Sequence, residues 1–145
     1  MEYKYIDPEV SGGLGSESVL DNSVHPPIIK ELHYEFDGWL GDDIIESFPA
    51  YLITERLKQE IENNSFTGYL ISNVLITKSS LFNEIYPNKN LPEFHWLKVY
   101  GKAGVDDFGI GNGSRLVISK GVITALAQFS TLSSDFEEFS ILKTN

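Results

Sequence analysis

The segment Phe94 to Ser119, FHWLKVYGKAGVDDFGIGNGSRLVIS, constrains the fold more than any other part of the chain, because it joins strand patterns through a glycine-rich turn. From Phe94 to Tyr100 the residues alternate, with Phe94, Trp96, Lys98 and Tyr100 on one side and His95, Leu97 and Val99 on the other, which is the period of a strand. Asp107 to Ile110 and Arg115 to Ile118 flank Gly111-Asn112-Gly113 and predict a hairpin, since Asn-Gly supplies the backbone geometry that reverses a chain. Ser119 then caps a helix whose Val122, Ile123, Leu126 and Phe129 fall on one stripe.

The same reasoning extends along the 145 residues. Tyr3 to Ile6 predicts a short strand, and residues 7 to 27, with Pro8, Gly12, Gly13, Gly15, Pro26 and Pro27, predict a loop-rich segment. Leu32, Tyr34 and Phe36 alternate with His33, Glu35 and Asp37, a half-buried strand ended by Asp37-Gly38. Between Asp42 and Asn64 the signals are helical: Thr54 is an N-cap, Leu57 and Ile61 mark an apolar edge, and Arg56/Glu60 and Lys58/Glu62 can pair one turn apart. Thr67 to Lys78 returns to strand composition, Pro87 to Pro92 is a loop, and Phe136 to Leu142 adds an edge strand. Strands joined by hairpins, without βαβ alternation, predict an α+β fold: one domain over residues 1 to 145, a mostly antiparallel sheet and two main helices packed on it.

Composition narrows the function classes. A chain of this length can bury roughly two thirds of its surface and needs no covalent staple. With no cysteine, thiolate nucleophiles, disulfides and cysteine-ligated metals are excluded. The amino terminus lacks the pattern of a secretory signal and no apolar run approaches the roughly 18 residues of a membrane span, so a cytoplasmic protein is expected. Eleven Lys and Arg stand against 21 Asp and Glu, a net charge of −10. Nucleic acid and anionic membranes are therefore disfavoured as partners, because phosphate contacts need cations, and a basic protein partner is favoured.

Few residues suggest chemistry. Asp42, Asp43 and Glu46 form a DDxxE pattern which, on a helix, would place carboxylates on one face able to hold a hard cation, or would simply complement the helix dipole. Asp106 and Asp107 precede Phe108-Gly109, but adjacent residues of a strand point to opposite faces and cannot share one metal. His25, His33 and His95 show no metal-ligand spacing, and no nucleophile and base stand in a recognisable order. Trp39, between Gly38 and Leu40-Gly41, is the aromatic residue expected to be exposed, the type that anchors interfaces. No catalytic residue, metal ligand or cofactor is expected.

The strings FPAYLITE (48 to 55), TGY (67 to 69), LPEFHWLKV (91 to 99), GVDDFGI (104 to 110) and LVIS (116 to 119) together resemble a group of small bacterial immunity proteins encoded beside polymorphic toxins, over residues 35 to 130. The resemblance implies an inhibitor that docks on a cognate, basic toxin domain and occludes its active site without chemistry of its own. Charge and expected exposure, rather than the resemblance, select Trp39, Asp42, Asp43, Glu46, Asp106 and Asp107 as its partner-binding residues. The alternatives are a small metal-dependent hydrolase using Asp42, Asp43 and Glu46, and a non-enzymatic adaptor module.

Overall fold

In the computed structural model, which describes residues 2 to 140, the first strand in sequence, β1 (Tyr3–Asp7), lies inside a sheet between two strands from the other end of the chain. The amino-terminal third continues with β2 (Glu9–Val10), β3 (Gly12–Leu14), β4 (Val19–Asp21), β5 (Ile28–Glu31) and β6 (His33–Phe36). Then come β7 (Ile44–Ser47), β8 (Ala50–Thr54), α1 (Glu55–Glu62), β9 (Tyr69–Ser72), β10 (Leu75–Lys78) and α2 (Ser80–Ile85). The chain closes with β11 (Phe94–Val99), β12 (Phe108–Ile110), a 3₁₀ turn at Asn112–Ser114, β13 (Leu116–Ser119), α3 (Lys120–Leu126) and β14 (Asp135–Phe139).

These strands form sheets in the orders β12-β13-β1-β14, β2-β7-β8-β11-β9, β10-β6-β3 and β4-β5. Every pairing is antiparallel except β10 with β6 and β2 with β7. The chain is thus a single α+β domain with mostly antiparallel sheets, as its hairpin connections predict.

The five-stranded sheet sits between two apolar layers, and β8 shows why. All five of its residues are buried: Tyr51 and Ile53 face a core with Ile6, Leu57, Phe108 and Val122, while Ala50 and Leu52 face a second core with Tyr34, Phe36, Phe82 and Trp96. A strand covered on both faces reads as an unbroken apolar run and carries no period-2 signal. For that reason the helix expected over Asp42 to Asn64 is corrected: two strands precede α1, which begins where Thr54 accepts a hydrogen bond from Leu57 N. Leu57 and Ile61 are its buried edge, and Lys58 pairs with Glu62 at 3.4 Å, but Arg56 turns to Asp43 rather than Glu60.

Residues 7 to 27 also depart from the loop reading, since three short strands run through them. Glycine composition misleads there because Gly12 lets β3 press against β6; a Cβ on Gly12 would stand 2.0 Å from the carbonyl oxygen of Glu35. The strand expected over Thr67 to Lys78 divides into β9 and β10, which join different sheets, and α2 is a third, short helix. The hairpin is as expected, with Ile110 opposite Leu116 and Gly113 at φ 67° in the turn. Ser119 caps α3 through Val122 N, and β14 is the edge strand beside β1; positions 141 and 142 of its expected span lie outside the described residues.

Candidate functional site

The acidic pair expected on a helix face instead lies just before β7, and both carboxylates are buried. Asp42 accepts hydrogen bonds from Ser133 N at 2.9 Å, Ser134 Oγ at 3.0 Å and Ser130 Oγ at 3.3 Å. Asp43 accepts from Thr54 Oγ1 at 2.6 Å, Ser130 N at 2.8 Å and, through both oxygens, the Arg56 guanidinium at 2.8 and 2.6 Å. Burial pushes the Asp43 carboxyl up, but the bonds from Arg56, Thr54 and Ser130 outweigh it and hold it below the usual range. A third buried acid, Glu9, which the sequence reading passes over, accepts from Leu40 N at 2.7 Å, Asp42 N at 3.1 Å and Ser11 Oγ.

Together these three acids bracket two surface loops. Glu9 holds residues 40 to 42 against β2, and Asp42 and Asp43 hold residues 130 to 134 against the same corner of the molecule. Each loop exposes a leucine: Leu40 is 75% accessible and Leu132 95%. Val10 of β2 is exposed on the strand that Glu9 belongs to. Trp39 is half-buried, its ring edge-on to Phe94 with centroids 5.8 Å apart and its Nε1 donating to Asp42 O at 2.9 Å. The expectation that Asp42 and Asp43 face a partner is therefore corrected, because water and partners cannot reach carboxylates already saturated by internal donors.

The other expected positions are dispersed. Glu46 lies in β7, so it shares no helix face with Asp42 or Asp43; burial and the nearby Asp7 carboxylate raise its pKa to about 7, against the pull of Arg115. Asp106 accepts from Lys102 N at 2.7 Å. Asp107 accepts from Thr67 N at 2.9 Å and Ser119 Oγ at 2.7 Å, pinning the start of β12 to the α3 cap. Both are half-buried turn residues ahead of β12 that tie loops together, rather than free surface charges.

One grouping has no sequence signal. Glu55, Glu93 and His95 bring one ligand atom each to within 4.8 Å of one another, although 38 residues separate the first two. The antiparallel pairing of β11 with β8, which sets Phe94 opposite Thr54, brings them together. Elsewhere an apolar cleft of about 240 Å³ opens between Pro26, Ile29, Tyr51 and Trp96; its cation, Lys98, stacks over Trp96 at 4.7 Å. No helix among the described residues is long and apolar enough to cross a membrane.

No protein-family model matches the chain, and no curated protein or solved structure is detectably similar to it.

Proposed function

We propose that this is a binding protein of the immunity type, which docks on a basic toxin domain and covers its active site. The observation that carries the reading is the bracket of Glu9, Asp42 and Asp43, which uses buried carboxylates to hold two loops that present Leu40 and Leu132 to solvent. Apolar groups held rigidly at a surface are the ingredients of an interface core, because little conformational freedom is left to lose on docking. The −10 net charge supplies the complementary field for a basic partner. Against the hydrolase alternative, a cation at Asp42 and Asp43 would have to displace donors from Ser130, Ser133, Thr54 and Arg56.

The test is co-expression with the toxin encoded next to this chain, together with Leu40→Lys and Leu132→Lys. The unsubstituted protein should protect cells and bind the toxin domain. The paired lysines, which remove apolar contact and add like charge, should weaken binding by at least about thirtyfold, the equivalent of roughly 2 kcal/mol at a hot spot, with an unchanged melting temperature. Absence of protection by the unsubstituted protein refutes the immunity reading, and full binding by the double variant refutes this surface.

A further inference from the structure

We propose that Glu55, Glu93 and His95 form a binding site for a divalent first-row transition-metal ion, with Zn²⁺ as the probe that fits the donor set. This goes beyond the docking reading and does not depend on it.

The argument begins with the backbone. The β8–β11 ladder pairs Phe94 with Thr54 and His95 with Ile53, and Glu55 N donates to Glu93 O at 3.0 Å, one step past the end of the ladder. All three residues are thereby fixed to two paired main chains, so convergence of their side chains requires no ordering of a loop. His95 Nε2 then lies 2.5 Å from Glu55 Oε1 and 3.2 Å from Glu93 Oε2. A single imidazole nitrogen carries one proton or one lone pair, yet two carboxylates converge on it. A cation at the meeting point would satisfy the nitrogen lone pair and both carboxylates at once.

The two separations about His95 can be set against a coordination sphere. With metal–nitrogen and metal–oxygen bonds of about 2.1 Å, tetrahedral ligand atoms stand ~3.4 Å apart. The Glu93–His95 separation is already close to that, and the Glu55–His95 contact must open by about 0.9 Å to reach it. Room for that movement exists, because the Glu93 side chain is 69% accessible and that of Glu55 36%, whereas His95 at 17% is the fixed point. Gln59 Nε2 donates to the other oxygen of Glu55 at 2.8 Å, which orients the carboxylate and leaves Oε1 for the ion.

Open positions face solvent on two sides. Glu93 and His95 line a groove of about 1100 Å³ along β10, and Glu55 lines a separate cleft of about 380 Å³ beside Trp39 and Arg56. Water can therefore complete the coordination shell. The imidazole sets the preference, since a nitrogen ligand favours zinc and its neighbours over magnesium and calcium, which take oxygen. Two carboxylates balance a dication, and the negative field of the whole protein raises the local cation concentration.

The experiment is isothermal titration of the tag-free full chain, stripped with chelator, with ZnCl₂ and separately MgCl₂, accompanied by thermal melts. The expected result is one equivalent of Zn²⁺, a melting temperature raised by about 5–10 °C at a hundredfold excess over Kd, and no response to Mg²⁺. Glu93→Gln, at an exposed position, should weaken Zn²⁺ at least tenfold with an unchanged metal-free melt, and His95→Gln should abolish it. No uptake by the unsubstituted chain, equal uptake of Mg²⁺, or unaltered affinity in Glu93→Gln would each overturn the proposal. Should His95→Gln fail to fold, Glu93→Gln alone decides the matter.

Discussion

Replacing Asp43 with alanine isolates the contribution of the buried bracket. Four donor groups lose their acceptor, but they do not cost the same: the Arg56 side chain is 64% accessible and rehydrates, whereas Thr54 Oγ1 is buried and Ser130 N is partly buried. Leaving a buried donor unpaired costs about 1–3 kcal/mol, so Thr54 and Ser130 together set a loss of roughly 2–4 kcal/mol. Arg56→Ala leaves both of those bonds in place and should cost less, about 1 kcal/mol, because a pair with one exposed member is weakened by water. Equilibrium urea denaturation measures both, and for a domain of this size a loss of about 3 kcal/mol lowers the melting temperature by roughly 6–12 °C. The pH dependence has a definite sign. The folded carboxyl is held below its unfolded value, so its stabilising contribution is present above about pH 4 and is lost as pH falls through the folded pKa; the gap between native and variant must close in acid. A loss under about 1 kcal/mol for Asp43→Ala, or a larger loss for Arg56→Ala, would refute the reasoning.

Glu46 titrates in the opposite sense: its folded pKa of about 7 lies above its unfolded value, so ionisation weakens the fold as pH rises from about 4 to 7. Glu46→Gln should therefore stabilise the protein by about 2–4 kcal/mol at pH 8 and leave it unchanged at pH 4; a difference that does not vary with pH in chemical denaturation would contradict this. Gly68 and Gly101 face each other, and a Cβ on Gly68, whose φ is 96°, would stand 2.1 Å from Phe108 O. Gly68→Ala should cost at least about 2 kcal/mol in a urea melt, and a cost near zero would show that the β9–β12 approach is looser than described.

Where a residue's environment is local, the sequence was informative. The Thr54 and Ser119 caps, the Leu57–Ile61 edge and the hairpin about Gly113 depend on neighbours a few positions away, and all four stand where the pattern predicts them. The β7–β8 segment departs from the pattern because burial on both faces of β8 erases the period-2 signal, so the helix-forming run of Glu55 to Glu62 extends the helical expectation back over residues whose own Ile, Tyr and Thr content suits strands. His33 illustrates the same limit: alternation sets it outward, yet it is buried, with Nδ1 accepting from Glu17 N and Nε2 bonded to Thr77 across the β6–β10 pair. The Glu9 bracket and the Glu55–Glu93–His95 group each join residues more than 30 positions apart through strand pairing, and no spacing rule reaches that far.

Scarcity of cations explains which residues serve the buried acids. With 11 Lys and Arg for 21 acids, a one-to-one pairing leaves ten carboxylates without a cation, and interior ones must draw on neutral donors. Asp42 takes three serines, Asp43 adds Thr54 and Ser130 N to its one arginine, and Asp107 takes Thr67 and Ser119. The serine-rich run at Ser130 to Ser134 is therefore the partner of Asp42-Asp43 and no mere polar linker. If that loop peeled away, two buried carboxylates would lose internal donors, so it is held closed by the cost of exposing them. The loop that carries Leu132 is thus fastened by neutral donors to two buried acids, in a chain whose acids outnumber its cations.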